Sequence, residues 1–128
     1  MANNRRVLIV EDDPGTSGLL VQIVRRAGYE PALARSGREA LRDLDQSGAD
    51  LLLLDLMMKE MDGWTLLDII RADSRFPSLP VIIISARHPR EDPTRVEAYA
   101  DKYDAYLVKP FEVDELVATM GRLLDACG

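Results

Sequence analysis

Short apolar runs alternate with amphipathic segments along the chain, and this pattern predicts strands and helices in turn. Several of the runs are apolar throughout rather than at every second position, which indicates strands that are buried on both faces. Pro31 interrupts the second run and suggests that this strand lies at an edge of the sheet. We therefore predict an α/β fold with five parallel strands, over 6–11, 29–34, 51–55, 80–85 and 104–109.

The amphipathic segments between these runs predict five helices. Asp13 and Pro14 are suited to be the N-cap and first residue of the first helix, and Gly28 is placed to end it. A capping box, Ser36 to Glu39, opens the second helix. The remaining helices are predicted over 64–71, over 94–102 and from 113 onward. The stripes predicted to face the core are Leu19, Leu20, Ile23, Val24 and Ala27 in the first helix, Ala40, Leu41 and Leu44 in the second, and Val113, Leu116, Val117, Met120 and Leu124 in the last.

Composition narrows the class of protein. The 128 residues, 47% hydrophobic and 30% charged, predict a single domain spanning 1–128. A formal charge of −6 argues against binding nucleic acid through its phosphates or lying on an anionic membrane. No apolar run approaches the roughly 18 residues of a membrane span, and no signal peptide is recognised. The single cysteine, Cys127, excludes a disulfide framework and fits a reducing, cytoplasmic location.

Polar residues stand at the carboxyl ends of four predicted strands: Glu11 and Asp12, Asp55, Ser85, and Lys109. Open α/β sheets bind ligands at this edge. Three carboxylates in one crevice would repel each other unless a cation lay among them. Oxygen donors without nearby His or Cys favour Mg²⁺, or Mn²⁺ or Ca²⁺ in its place, over zinc. A lysine and a hydroxyl at the same edge would bind phosphoryl oxygens, so the candidate reaction is phosphoryl transfer.

These motifs resemble the receiver domain of two-component response regulators, of the kind found in chemotaxis regulators. The resemblance extends from "VLIVEDDP" to "LVKPFEVDEL" and covers essentially the whole chain. It includes the acidic pair, Asp55 seven residues before Asp62-Gly63, the Ser85-Ala86 dipeptide and Lys109-Pro110. The resemblance implies a flavodoxin-like, doubly wound five-stranded sheet in the order 2-1-3-4-5, flanked by five helices.

The resemblance also implies the role of each residue. Asp55 would accept a phosphoryl group from a histidine kinase or a phosphotransfer protein, which makes the chain a signalling domain rather than an enzyme. Mg²⁺ would be held by Asp12, Asp55 and the backbone carbonyl of Met57, with Glu11 acting partly through water. The residues that would respond to the phosphoryl group are Lys109, which would pair with its oxygens, Ser85, which would donate its hydroxyl, and Tyr106, which would turn as the switch.

The sequence does not identify the downstream partner of the domain. The surface formed by the fourth helix, the last strand and the last helix is predicted to bind an unidentified downstream effector, and the resemblance allows a phosphorylation-dependent dimer. Lys59 occupies a position where many receivers have proline, and its effect is open. His88, in a proline-marked loop, is interpreted as a solvated loop residue.

Three other functions fit these residues less well. A phosphohydrolase of the haloacid dehalogenase type needs a second acid two residues after its nucleophile, where this chain has Met57. A flavodoxin-like electron carrier needs a phosphate loop rich in Ser, Thr and Gly rather than acids. A degenerate receiver that acts as a phosphorylation-independent interaction module would not need the acids, the hydroxyl and the lysine, which are all retained.

Overall fold

Five parallel strands form a single sheet in the computed structural model, which describes residues 5–126. Cys127, on which the redox prediction rests, lies outside the described residues. The sheet has the order β2-β1-β3-β4-β5, so the predicted fold class and strand order are confirmed. The strands are β1 (Arg6–Val10), β2 (Glu30–Ala34), β3 (Leu51–Leu54), β4 (Val81–Ser85) and β5 (Ala105–Val108).

Helices cover both faces of this sheet. Two of them pack on one face with one hydrophobic cluster, and the other three lie on the opposite face with a second cluster. The two helices on the first face are α1 (Pro14–Arg26) and α5 (Val113–Ala126), and the opposite layer contains α2 (Gly37–Ser47), α3 (Gly63–Ala72) and the short α4 (Pro93–Ala98). No helix of residues 5–126 is long and apolar enough to cross a bilayer.

The uninterrupted apolar run of β3 is explained by these two layers. Leu51 and Leu53 contribute to the cluster with α1 and α5, whereas Leu52 and Leu54 contribute to the cluster with α2 and α3. Successive side chains of a strand point to opposite faces, so a strand between two helical layers must be apolar at every position. All four leucines are at most 1% exposed.

The observed helix caps agree with those predicted from the sequence, except that one hydrogen bond has a different donor. Asp13 accepts a hydrogen bond from the Thr16 amide at 2.8 Å at the start of α1, and Gly28, with φ of 96°, follows its end. At α2 the Ser36 hydroxyl accepts from the Glu39 amide at 3.1 Å. The Glu39 carboxylate accepts from the amide of Arg35 rather than that of Ser36, so the return bond of the predicted capping box is displaced by one residue.

The predicted fourth helix, over 94–102, is wrong in extent, because α4 ends at Ala98. Tyr99 instead packs its ring 4.8 Å from that of Trp64 and donates its hydroxyl to Asp68 at 2.6 Å. The Lys102 carbonyl accepts two hydrogen bonds from the guanidinium of Arg71 on α3. These contacts with α3 hold 99–102 as a turn. Tertiary contacts therefore outweigh the local helical pattern.

Three residues predicted to face the core are exposed instead. Leu19 of α1 is 49% exposed, and Val113 and Val117 of α5 are 45% and 36% exposed. Their neighbours in the two stripes, such as Leu20 and Leu116, are buried as predicted. The stripes are wider than the sheet can cover, and their outer members lie along the junction of α1 and α5.

Candidate functional site

The acidic residues converge because hydrogen bonding continues past the ends of the strands. The Asp55 amide donates to the Val10 carbonyl at 3.0 Å, and the Glu11 amide donates to the Ala34 carbonyl at 3.0 Å. Glu11 and Asp55 are therefore placed side by side at the carboxyl edge, 1% and 5% exposed. Carboxylate oxygens of Glu11, Asp12 and Asp55 all lie within 4.8 Å of one another. The structure brings together the three acids that the sequence singled out.

Lys109 reaches into this acidic cluster from β5. Its side-chain nitrogen lies 2.8 Å from Glu11 Oε1 and 3.5 Å from Asp55 Oδ2. Its backbone amide donates to the Ser85 carbonyl at 2.8 Å, which ties the end of β5 to the end of β4. The peptide bond from Lys109 to Pro110 is cis. Lys109 brings one positive charge to three carboxylates, so the crevice keeps an excess of negative charge.

Backbone amides provide further donors to the acids. The amide of Met57 donates to Asp55 Oδ1 at 3.1 Å, that of Asp13 to Glu11 Oε2 at 3.2 Å, and that of Lys59 to Asp12 Oδ2 at 3.4 Å. The side chain of Met57 is 51% exposed. The predicted role of its carbonyl as a metal ligand stays a prediction.

The electrostatics of the crevice fit a divalent cation. The pKa of Asp55 is raised to about 7, mainly by burial and also by the adjacent Glu11, although the Met57 amide and Lys109 act to lower it. Burial acts to lower the pKa of Lys109, but its hydrogen bond to Glu11 and the charge of Asp55 outweigh that effect and raise it. A buried carboxylate that holds its proton near neutral pH lacks enough positive charge around it. Three clustered oxygen donors are the ligands that Mg²⁺ prefers.

Gly63 shapes the loop that carries Asp55, a role that the sequence reasoning missed. A Cβ on Gly63 would lie 2.7 Å from the Leu56 Cα and 2.9 Å from the Asp55 carbonyl oxygen. Its amide donates to the Leu56 carbonyl at 3.0 Å, and the preceding Asp62 accepts from the Thr65 amide to cap α3. In the sequence, the Asp62-Gly63 pair is notable only for its spacing of seven residues from Asp55. A glycine directly after an N-cap was the signal of this close backbone approach.

Ser85 and Tyr106 are connected through the backbone of Arg87. The Ser85 hydroxyl, which is buried, accepts from the Arg87 amide at 3.1 Å, and the Tyr106 hydroxyl donates to the Arg87 carbonyl at 2.5 Å. The Tyr106 ring is half-buried and lies edge-on to Tyr103, with centroids 6.2 Å apart. Burial raises the pKa of the Tyr106 phenol. The sequence identified both hydroxyls but not Arg87, whose backbone lies between them.

His88 has a local structural role, consistent with a loop residue. Its Nδ1 accepts a hydrogen bond from the Arg90 amide at 3.2 Å, and its own amide donates to the Glu91 carboxylate at 2.7 Å. These two bonds cap the 3₁₀ turn Pro89–Glu91.

Comparison with known proteins identifies the family. The model of the response regulator receiver domain matches residues 7–121, so the chain belongs to that family, the receiver domains of two-component response regulators. The resemblance found in the sequence is thereby confirmed. Phosphotransfer, Mg²⁺ binding at an acidic pocket and interaction with histidine kinases and downstream effector domains are general features of these domains.

Several curated relatives are response or transcriptional regulators. The transcriptional regulatory protein BaeR of Escherichia coli O6:H1 is 37% identical over 125 residues, 98% of this chain and 50% of that protein. The transcriptional regulatory protein ZraR of E. coli K12 is 39% identical over 122 residues, 95% of this chain and 27% of that protein. The chain thus spans about half the length, or less, of these relatives.

Solved receiver structures share the fold over nearly the whole chain. The receiver domain of the Francisella response regulator 1452 aligns with a TM-score of 0.86 and 31% identity, and the alignment covers 98% of this chain and 100% of that one. The chemotaxis protein CheY4 of Vibrio cholerae aligns with a TM-score of 0.85 and 26% identity, covering 94% of this chain and 99% of that one.

Proposed function

We propose that Asp55 is the phosphoacceptor of this receiver domain, and that the donor is the phosphohistidine of a histidine kinase or phosphotransfer protein. The observation that carries the proposal is the cluster of three carboxylates within 4.8 Å of one another, with the Lys109 ammonium 3.5 Å from Asp55. Asp55 is the central acid of this cluster along the sheet edge, because β3 lies between β1 and β4. Asp55 is 5% exposed.

Glu11, Asp12 and Asp55 would hold Mg²⁺, or Mn²⁺ in its place, together with the backbone carbonyl of Met57. The bound ion would neutralise charge on the phosphoryl oxygens during transfer. Asp55 must be ionised to act as a nucleophile, and its pKa of about 7 in the metal-free crevice opposes this. Positive charge among the acids therefore prepares the nucleophile as well as the phosphoryl group.

The transfer itself is an in-line displacement at phosphorus. A carboxylate oxygen of Asp55 forms the new P–O bond as the P–N bond to the donor imidazole breaks, and the imidazole nitrogen takes the electron pair. Lys109 would move from Glu11 to the transferred oxygens. Ser85 would leave the Arg87 amide and donate its hydroxyl to the phosphoryl group. Attack by water at phosphorus would break the P–O bond to Asp55, release inorganic phosphate and return the carboxylate, and the residues that hold the phosphoryl oxygens would assist this dephosphorylation as well.

The phosphorylated state would be read on the surface formed by α4, β5 and α5. When Ser85 turns away, the Arg87 amide loses its acceptor, and the carbonyl of the same residue accepts from the Tyr106 hydroxyl. Tyr106 would therefore respond to the phosphoryl group through Arg87. An effector or a second phosphorylated copy would bind there. We also propose that residues 1–128 act as one domain and that the protein works in the cytoplasm.

The test is phosphorylation with acetyl phosphate, followed by intact-mass measurement. The parent protein should gain one phosphoryl group in the presence of Mg²⁺, labile to hydroxylamine, and Asp55→Asn should gain none. Asp13→Asn is the matched control, because Asn retains the N-cap of α1. Equal incorporation in Asp55→Asn would remove Asp55 from this role. An unreactive parent would favour the degenerate receiver, and sustained release of phosphate over many turnovers would favour a phosphohydrolase.

A further inference from the structure

The carboxylate of Asp12 is held by fewer donors than those of the other two acids in the crevice. Glu11 and Asp55 each accept from a backbone amide, and each lies within 3.5 Å of the Lys109 ammonium. In the described part of the chain, the Asp12 carboxylate has one hydrogen-bond donor, the backbone amide of Lys59, at 3.4 Å from Oδ2. The orientation of this carboxylate therefore depends on a single bond.

This hydrogen bond joins the two loops that carry the acids. Asp12 follows β1, whereas Lys59 lies 47 positions later, in the loop between β3 and α3 that begins at Asp55. A bond between these loops fixes an oxygen of Asp12 relative to the loop that presents Asp55. The two carboxylates thus keep a defined separation before a cation arrives.

The loop is anchored on both sides of Lys59, so the Lys59 amide is a fixed donor. On one side, the Leu56 carbonyl accepts from the Gly63 amide at 3.0 Å, which closes the loop at its base. On the other, the side chain of Met61 packs against the start of α2, where a Cβ added to Gly37 would lie 2.7 Å from Met61 Sδ. A donor held in this way can orient the carboxylate that it contacts.

We propose that the backbone amide of Lys59 is the positioning group that orients Asp12 for Mg²⁺, an inference that rests on the proposed metal site. Both oxygens of a carboxylate carry lone pairs, so Asp12 can accept from the amide and still bind a cation. Hydrogen bonds to a metal ligand orient it and strengthen metal binding. Lysine supplies the N–H, whereas proline, which many receivers have at this position, would not. The departure from proline therefore adds a donor to the crevice.

NMR of the metal-free protein tests the hydrogen bond itself. Asp12→Ala should move the Lys59 amide proton upfield and accelerate its exchange with water, because the amide loses its acceptor. Asp13→Ala is the matched control, since Asp13 accepts from the Thr16 amide at 2.8 Å, and it should move the Thr16 signal but not that of Lys59. A Lys59 amide signal that is unchanged in Asp12→Ala overturns the proposal. This readout requires neither Mg²⁺ nor a phosphoryl group.

Calorimetric titration with Mg²⁺ tests the role of the N–H in metal binding. Lys59→Pro, which lacks the N–H, should bind Mg²⁺ at least about tenfold more weakly than Lys59→Ala, which retains it. Proline also restricts the backbone, so a second variant carries lactic acid at position 59 and differs from Lys59→Ala only by an ester oxygen in place of the N–H. It should show the same loss.

The outcomes of this titration separate the positioning role from the proposed metal site. If the ester variant binds Mg²⁺ as tightly as Lys59→Ala does, the role of the amide is overturned, whatever the affinity of Lys59→Pro. If the parent protein binds no Mg²⁺, the metal site itself is overturned, and the positioning role with it.

Discussion

The Lys109 ammonium donates to Glu11 Oε1 at 2.8 Å, although β3 and β4 lie between the strands that these residues follow. The long side chain of Lys109 thus spans the crevice above the two central strands. Its partner Glu11 is 1% exposed, so this is a buried charge with a defined countercharge. The pair holds the ammonium close to Asp55 before any phosphoryl group arrives.

Lys109→Met should therefore affect both chemistry and stability. Loss of a positive charge aimed at the transferred oxygens should slow phosphorylation by acetyl phosphate by about 10²-fold or more. Glu11 would be left buried without its partner, which should cost about 1–3 kcal/mol of unfolding free energy in the metal-free protein. Urea unfolding and initial phosphorylation rates measure the two effects.

Lys59→Met is the matched control for Lys109→Met. Lys59 is exposed, and its contact with the acids is made by its backbone amide, which the substitution retains. The unfolding free energy of Lys59→Met should stay within about 0.5 kcal/mol of that of the parent. Equal loss of rate and stability in both variants would show that general positive charge, rather than the position of Lys109, matters.

Magnesium binding should depend on pH through Asp55. Its pKa in the metal-free protein is raised from the ordinary value of 3.8 to about 7 by burial and by Glu11, so binding near neutral pH must displace a proton. Affinity for Mg²⁺ should rise as the pH increases from 5 to 8, with proton release that fades above about pH 8. Calorimetry in buffers of different ionisation enthalpy measures both the affinity and the protons released.

The stability of the metal-free protein should fall as the pH rises, whereas its affinity for Mg²⁺ should increase. Because the folded-state pKa of Asp55 is raised, its contribution to metal-free stability is full below about pH 3.8 and is lost as the pH rises toward about 7. Asp55→Asn should lack this loss and become more stable than the parent near pH 7. Parallel stability curves for the two proteins between pH 4 and 7 would contradict the assignment of the pKa to Asp55.

Gly63→Ala should damage the phosphoacceptor loop, because the new Cβ would meet the backbone at 2.7 and 2.9 Å, where no side chain can move aside. We expect a loss of about 1–3 kcal/mol by urea unfolding, as for overpacked sites, together with slower phosphorylation. Gly18→Ala provides the contrast, since a Cβ there meets nothing within 4 Å inside α1. It should stabilise the protein by about 0.5–1 kcal/mol. The same sign of change in both variants would exclude the steric explanation.

The link between Ser85 and Tyr106 can be tested with beryllofluoride, which mimics the acyl phosphate. In the parent protein the mimic should draw the Ser85 hydroxyl from the Arg87 amide and shift NMR signals of Arg87 and Tyr106. In Ser85→Ala the amide has no hydroxyl to lose, and the shifts at Tyr106 should shrink. Shifts at Tyr106 that persist unchanged in Ser85→Ala would show that the response bypasses the hydroxyl.

Asp68→Ala should loosen the turn that follows α4. Asp68 accepts from the Tyr99 hydroxyl at 2.6 Å and from Lys102 at 3.0 Å, and Tyr99 packs on Trp64. These contacts are largely exposed, so the loss of stability should be below about 1 kcal/mol. The emission of Trp64, the only tryptophan in the sequence, should shift, and amide exchange over 99–102 should accelerate.

Asp45→Ala is the control for Asp68→Ala. It breaks an ion pair with Arg75 in which the Asp45 and Arg75 side chains are 70% and 50% exposed, and neither residue contacts Tyr99 or Trp64 in that pair. Its Trp64 emission should match that of the parent. An equal shift in emission from both variants would mean that Trp64 reports general loosening rather than the contact with Tyr99.

The sheet and the convergence of the acids could be predicted because they depend on local chain properties. A run such as Leu51–Leu54 is apolar at every position, which only a strand between two helical layers requires. Parallel strands end at one edge, so Glu11, Asp12 and Asp55 had to lie at that edge, and the strand order that makes them neighbours came from the resemblance to receiver domains. Caps at Asp13 and Ser36 involve bonds to residues three positions away, and they too follow from sequence spacing.

What only the tertiary structure decided are contacts between segments far apart in the sequence. The early end of α4 depends on Asp68 and Arg71 of α3, and the exposure of Leu19 and Val113 depends on how far apart α1 and α5 lie on the sheet. A hydrophobic period reports which residues share a helix face, but the neighbouring element determines how much of that face is covered. The sequence alone therefore determined the fold and the composition of the crevice, whereas packing determined the exposure of Leu19 and Val113 and the turn after α4.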